Sequence, residues 1–154
     1  MLFRSEFNTA AWQRMLAINL IGPALVIQAA HPWLKKARRA TIVNFASVQG
    51  IMPFARSSAY AASKAGVTMF TRHLALEVGP SGVRANVVAP GTTLSERIER
   101  VMDDASIART AAMSPLGRLG LPEDTANATV FLLSDASSWL TGITLDIAGG
   151  RVML

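Results

Sequence analysis

Tyr60 and Lys64 stand four residues apart in the stretch Ser57-Ser58-Ala59-Tyr60-Ala61-Ala62-Ser63-Lys64. On a helix that spacing puts both side chains on one face, one turn apart. A phenol beside an ammonium makes an acid–base group suited to neutral pH. A nearby positive charge favours the phenolate of a phenol whose ordinary pKa is about 10. Thirteen residues upstream of Tyr60, Ser47 ends the apolar run Thr41-Ile-Val-Asn-Phe-Ala-Ser47, which reads as a buried strand. Strand end, loop and helix bring three hydrogen-bonding groups to one mouth. Carbonyl reduction asks for such a set: a proton donor and a polarising group within about 3 Å of one oxygen.

Two other readings of the same residues stand beside this one. A Tyr–Lys pair at this spacing also occurs as an ordinary solvated helix face. A Ser–Lys hydrolase would use Ser47 or Ser63 as nucleophile. Ser63 adjoins Lys64 on the predicted helix, so the two point apart. No G-x-S-x-G elbow surrounds Ser47.

The elements that must position these groups alternate. Thr9 is the expected N-cap of a long helix reaching about Lys36, with apolar residues at Trp12, Leu16, Leu20, Leu25 and Ile27 and a bend at Gly22-Pro23. A strand over 41–46 and a loop from Gly50 to Arg56 follow. A second long helix runs from about Ser57 to Glu77 and stops at Gly79-Pro80-Ser81-Gly82. A strand over 84–89 ends at Pro90-Gly91. The segment from Thr92 to Ser114 reads as mixed helix and loop. A further helix opens at Pro122-Glu123-Asp124, with proline and acids in its first turn, and a strand over 144–147 closes the pattern. Strands alternating with helices predict an α/β fold with a parallel sheet. Continuous apolar strand sequences agree, because parallel strands are buried on both faces.

Composition narrows the function classes. The 154 residues are 51% hydrophobic and 16% charged, which suits one globular domain. There is no cysteine, so neither disulfides nor thiolate metal ligation are available. His31 and His73 are too few and too separated for a metal site and read as helix-surface residues; no metal is expected. The net charge of +5 includes the cluster Lys35-Lys-Ala-Arg-Arg39. That cluster complements the dipole at a helix C-terminus and lacks the interleaved aromatics of a base-stacking surface, so no nucleic-acid partner is expected. No apolar run reaches membrane-spanning length, because Gln13, Arg14 and Asn19 interrupt the first helix and Arg72 and His73 the later one. Met1-Leu-Phe-Arg-Ser5 has no signal-peptide pattern. The expectation is a cytoplasmic protein with no membrane partner.

The motifs, in order, resemble the short-chain dehydrogenase/reductase family. They are Asn19 within Ala17-Ile-Asn-Leu-Ile-Gly-Pro23, Ser47 after Ile42-Val-Asn-Phe-Ala46, Tyr60 with Lys64, and Val83-Arg-Ala-Asn-Val-Val-Ala-Pro-Gly91. Gly117-Arg-Leu-Gly-Leu-Pro-Glu-Asp124, Phe131-Leu-Leu-Ser-Asp-Ala-Ser-Ser138, Thr141-Gly142 and Gly149-Gly150 complete them. The resemblance implies hydride transfer between NAD or NADP and a small-molecule carbonyl or alcohol. It implies Tyr60 as general acid or base, Lys64 as its partner and a ribose ligand, Ser47 as the group orienting the substrate oxygen, and Asn19 as holder of a water linked to Lys64. Pro90, Gly91, Thr93 and Ser95 match the turn that contacts the nicotinamide, with Thr93 where the family has an aliphatic residue and Ser95 where it has threonine. The family's Asp-Gly-Gly is Ala148-Gly149-Gly150 here, which puts local turn stability in question. Leu94, Ile98, Val101, Met102, Ile107 and Met113 fit either an apolar substrate or plain helix core.

The resemblance also defines an incomplete fold. The sequence has no T-G-x-x-x-G-x-G turn and no N-N-A-G segment. At about 30 residues per βα unit, roughly 90 residues of the family's fold have no counterpart. The expectation is a single, truncated Rossmann-like domain over 1–154, three layers around a parallel sheet, holding only the C-terminal strands and helices of the doubly wound fold. Its first strand would offer a free edge. The two long helices form the family's usual dimer interface, so a homo-oligomer is expected. Two function classes follow: an oxidoreductase, or an inactive remnant that dimerises through its helices.

Overall fold

A computed structural model describes residues 8–55 and 57–153. The stretch Met1–Ser5 and Arg56 of the predicted loop lie outside these. Helix α1 (Thr9–Leu16), a π turn (Ala17–Ile21) and helix α2 (Gly22–Leu34) form one continuous rod. Strand β1 (Thr41–Phe45), a 3-10 turn (Val48–Gly50) and helix α3 (Ser58–Val78) come next. Strand β2 (Arg84–Pro90), helices α4 (Glu96–Val101), α5 (Asp104–Ala112) and α6 (Pro122–Leu133), and strand β3 (Thr144–Ile147) complete the order. The three strands are parallel in the order β1-β2-β3. The parallel α/β sheet is the one the alternation predicted, and it is part of the Rossmann-type three-layer fold that the family resemblance implied.

Strand β2 is central, and its alternating sides serve two layers. Ala85 faces one side with Ile42, Leu74, Ala75 and Val78, while Val87 and Ala89 pack there with Ala46. On that side α3 presents Val67, Thr71, Leu74, Ala75 and Val78, a helical stripe. Asn44, the polar residue of β1 on this face, donates to Thr71 Oγ1 at 2.9 Å, so its burial is satisfied. On the other side the Arg84 guanidinium binds the C-terminal end of α6. It donates to Leu132 O at 3.0 Å, Leu140 O at 3.3 Å, Ser137 Oγ at 3.1 Å and Ser134 O at 3.2 Å. The carbonyls of Leu132 and Ser134 end α6 and carry its negative pole, while that of Leu140 belongs to the chain leading into β3. Asn86 donates to Leu140 O and accepts from the Ile143 N–H. The two polar residues of β2 thereby fix where the chain re-enters the sheet as β3.

Four expectations change. The N-cap of α1 is Asn8, whose side chain accepts from the Ala11 N–H, with Thr9 inside the helix. The irregularity lies before Gly22-Pro23, in the π turn, where the Gly22 N–H bonds the Ala17 carbonyl five residues back. Pro23 has no N–H to give to the Asn19 carbonyl, and the wider turn accommodates that loss. The first rod ends at Leu34, two residues before Lys36; β1, β2 and α3 shift by one residue at their ends, and β3 keeps its expected bounds. Finally, the Thr9–Leu34 rod spans 26 residues and holds an 18-residue window of mean hydropathy 1.4, so by length and composition it is long and apolar enough to cross a membrane. Gln13 and Arg14 lie inside α1 and Asn19 inside the π turn, so none of the polar residues expected to interrupt the rod breaks it. None of its residues is buried, although Leu20 touches Gly66 of α3 and Ile27 and Leu34 pack on the core. Among the described residues strand β1 pairs on one side only, and Phe45 at its end is 49% exposed.

Candidate active site

The site forms where α3 docks on the C-terminal end of β1. Ser47 leaves the strand in extended conformation and its Oγ accepts the Gln49 N–H at 3.2 Å, capping the 3-10 turn. That turn lies against the middle of α3. A Cβ on Gly50 would stand 2.8 Å from both the Lys64 carbonyl carbon and the Ala65 nitrogen, so only glycine fits. The Lys64 ammonium donates to the Phe45 carbonyl at 2.8 Å. The same Nζ lies 5.7 Å from the centroid of the Tyr60 ring. Burial lowers the Lys64 pKa from its ordinary value. Tyr60, Lys64 and the end of β1 are therefore one assembly, with Ser47 two residues beyond the carbonyl that holds Lys64.

Asn19 joins from the π turn. Its Nδ2 donates to Ser63 Oγ at 3.0 Å and to Met15 Sδ at 3.1 Å, and Ser63 Oγ donates to the Tyr60 carbonyl at 2.7 Å. The amide thus reaches the turn of α3 that carries Tyr60 and Lys64, through Ser63. Ser63 is fully buried and its hydroxyl is bonded on both sides, which removes it as a nucleophile. Its bridging role was missed in the sequence; a small polar residue three after Tyr60 was the available signal. The carbonyl of Phe45 carries no side-chain signal at all.

The second group of predicted residues follows the end of β2, beside the end of β1: Phe45 pairs with Val88 and the Ala46 N–H donates to the Val88 carbonyl. Pro90 ends β2, and Gly91 packs against Ala148, with a would-be Cβ at 3.1 Å. Thr93 pairs with Gly120 in an isolated bridge, and its Oγ1 lies 3.4 Å from the Gly91 carbonyl. Ser95 is the N-cap of α4, accepting the Ile98 N–H at 3.4 Å. A cavity of about 360 Å³ opens beside Gly91 and Thr92, toward Ser114 and Gly149. Arg118 and Asp124 pair there through 2.6 and 2.9 Å contacts. The guanidinium and the Leu121 N–H hold the Asp124 carboxyl down at about 2. Among the described residues no group of three or more His, Asp or Glu gathers as a metal site.

Comparison with known proteins decides the family. A family profile described as enoyl-(acyl carrier protein) reductase matches residues 4–151. The chain belongs to the short-chain dehydrogenase/reductase family. It is 40% identical over 148 residues to inactive 2-(S)-hydroxypropyl-CoM dehydrogenase 2 of Xanthobacter autotrophicus, covering 93% of this chain and 64% of that one. It is 41% identical over 145 residues to cis-4-hydroxycyclohexanecarboxylate dehydrogenase of Sinomonas cyclohexanicum, covering 94% and 58%. A 3-oxoacyl-[acyl-carrier protein] reductase from Brucella melitensis, solved with bound NAD, superposes with a TM-score of 0.85 at 36% identity, covering 97% and 55%. ElxO, solved with NADP, superposes at 0.89 with 28% identity, covering 96% and 60%. This family member thus spans between 55% and 64% of the length of these four proteins.

Gly50→Ala separates the docking from general stability. We expect it to lower unfolding stability by about 1–3 kcal/mol, because the backbone of α3 must move. Gly79→Ala is the control: nothing lies within 4 Å of its Cβ position, and its effect stays within about 0.5 kcal/mol. Denaturant midpoints of the two variants check this.

Proposed function

We propose that this chain carries the proton-transfer half of an NAD- or NADP-dependent carbonyl/alcohol oxidoreductase. The observation that carries the reading is the Lys64 ammonium fixed on the Phe45 carbonyl beside the Tyr60 ring. In reduction the Tyr60 phenol donates its proton to the substrate oxygen as that oxygen gains charge. The Ser47 hydroxyl donates a hydrogen bond to the same oxygen. The Lys64 charge stabilises the phenolate left behind. In oxidation the roles reverse, with Tyr60 as base. Asn19, through Ser63, holds the α3 turn in register.

A nicotinamide ring, when bound, supplies or accepts the hydride. The residues fit its ribose: one of three Lys64 donors is used on Phe45, which leaves donors for ribose hydroxyls. Pro90 and Gly91 would border the ring, with Thr93 near its amide. Ser95 fits less well, since its hydroxyl caps α4. The sequence holds no glycine turn for a pyrophosphate. A second reading, an inactive remnant, draws support from the relative whose name says inactive.

Reduced nicotinamide mononucleotide tests the proposal, because it carries only the half of the cofactor these residues would meet. The expected result is ketone-dependent oxidation that falls at least ~100-fold in Tyr60→Phe. Equal rates in both proteins would support the remnant. NADPH should bind little tighter than the mononucleotide in a calorimetric titration.

The same reading proposes a homodimer. Between α2 and α3 runs an apolar groove of about 850 Å³, lined by Leu20, Ile21, Leu25, Met69 and Phe70. Exposed Val26 and Leu76 stand on the same two helices. Burying this surface is the driving force. Sedimentation should give a dimer that Leu25→Glu dissociates; a wild-type monomer would contradict the proposal.

A further inference from the structure

Met15 stands four residues before Asn19, one helical turn away along the rod. Its sulfur and the Ser63 hydroxyl share one amide. Asn19 Nδ2 donates to Met15 Sδ at 3.1 Å and to Ser63 Oγ at 3.0 Å. Neither partner can act as a donor in return. A thioether has no hydrogen to give, and the Ser63 hydroxyl spends its own on the Tyr60 carbonyl at 2.7 Å. Turning the amide over would set its oxygen against two acceptors at once. The two contacts therefore fix which way Asn19 points. With it they fix the link from the π turn to the turn of α3 that carries Tyr60 and Lys64.

The two arms of that link differ in chemistry. Ser63 is fully buried. Met15 is half-buried, on a helix none of whose residues is buried. Its sulfur is a weak acceptor and the one atom of this network that a mild oxidant changes. Oxidation adds an oxygen that accepts more strongly and turns an apolar side chain into a polar, chiral one. Nδ2 already lies 3.1 Å from the sulfur, so the new oxygen and the amide cannot both keep their places. Met69, Met113 and Met153 are exposed and open to the same oxidant, so an effect has to be traced to Met15 by substitution.

We propose that Met15 is a modification site: a peroxide oxidises its sulfur, the sulfoxide oxygen takes the Asn19 amide, and the bond from Asn19 to Ser63 is released. The sulfur lone pair attacks one peroxide oxygen, and an S–O bond forms as the O–O bond breaks. Sulfur loses two electrons, and the peroxide gains them and leaves as water or an alcohol. As a thioether Met15 is a positioning residue: it touches no reacting atom and acts on Tyr60 and Lys64 through Asn19 and Ser63. The consequence for turnover rests on the acid–base reading of Tyr60; the rearrangement itself does not.

Side-chain amide NMR on the full chain, before and after hydrogen peroxide, tests it, with peptide mass spectrometry to locate the added oxygen. Oxidation at Met15 should shift the Asn19 amide pair and speed exchange of its Ser63-bonded hydrogen about fivefold, the effect of one lost hydrogen bond. Backbone amides of β2 should keep their protection. Methionine sulfoxide reductase with a thiol should restore both signals. Met15→Gln, which sets a permanent oxygen at this position, should show the oxidised pattern without peroxide. Met15→Leu should keep the Ser63 bond and leave the Asn19 signals insensitive to peroxide. An unchanged Asn19 pair in protein oxidised at Met15 would overturn the proposal. So would the same peroxide response in Met15→Leu, or a Met15 that stays reduced while Met69, Met113 and Met153 are fully oxidised.

Discussion

The docking of α3 on the end of β1 is the constraint from which the rest follows. It joins a charged group, a carbonyl and a glycine. The Lys64 ammonium reaches back to the Phe45 carbonyl, which sits at the strand's terminus where the ladder is running out. Gly50 lets the intervening turn lie against the backbone of α3. With both contacts in place, the first turns of α3, which carry Tyr60, are fixed against the strand end from which Ser47 leaves. Neither contact is strong in isolation. Their value lies in geometry: one fixes the helix along the strand, and the other fixes how closely it approaches.

The sheet makes this docking possible by treating its two faces differently. The α3 side is nearly all apolar, with Asn44 and Thr71 satisfying each other. The α6 side carries Arg84 and Asn86, whose donors gather the carbonyls at the end of α6 and the crossing into β3. Polar residues in a central strand are tolerable because every donor named has a carbonyl or hydroxyl to meet. Strand β2 therefore reads as apolar to one helix and as a clamp to the other. Its end delivers Pro90 and Gly91 to the edge of the sheet at which open α/β folds place ligands.

Much of this was legible in the sequence. Alternating strands and helices, the parallel order and the Tyr60–Lys64 pairing followed from spacing and periodicity. Four features resisted for physical reasons. The π turn depends on Pro23 lacking a donor for a carbonyl four residues back, and its consequence falls upstream of the proline itself. Ser63 looked like a competitor to Ser47, because a serine's hydroxyl does not announce whether it is buried and bonded. Ser95 matched a ligand position by motif, yet the start of α4 uses its oxygen as a cap, a local demand that any helix beginning there would make. The membrane-length rod was misjudged because the polar residues in it interrupt a run of letters without interrupting the helix.

The central claim is that Tyr60, Ser47 and Lys64 hold and protonate a substrate oxygen while hydride is delivered to the carbon beside it. Label transfer tests that directly. With reduced nicotinamide mononucleotide deuterated at C4 and a simple ketone, the account predicts deuterium on the carbinol carbon of the alcohol, from one face of the nicotinamide only. Product spectra read this by NMR. Alcohol formed without deuterium, or no alcohol above the protein-free background, would contradict it.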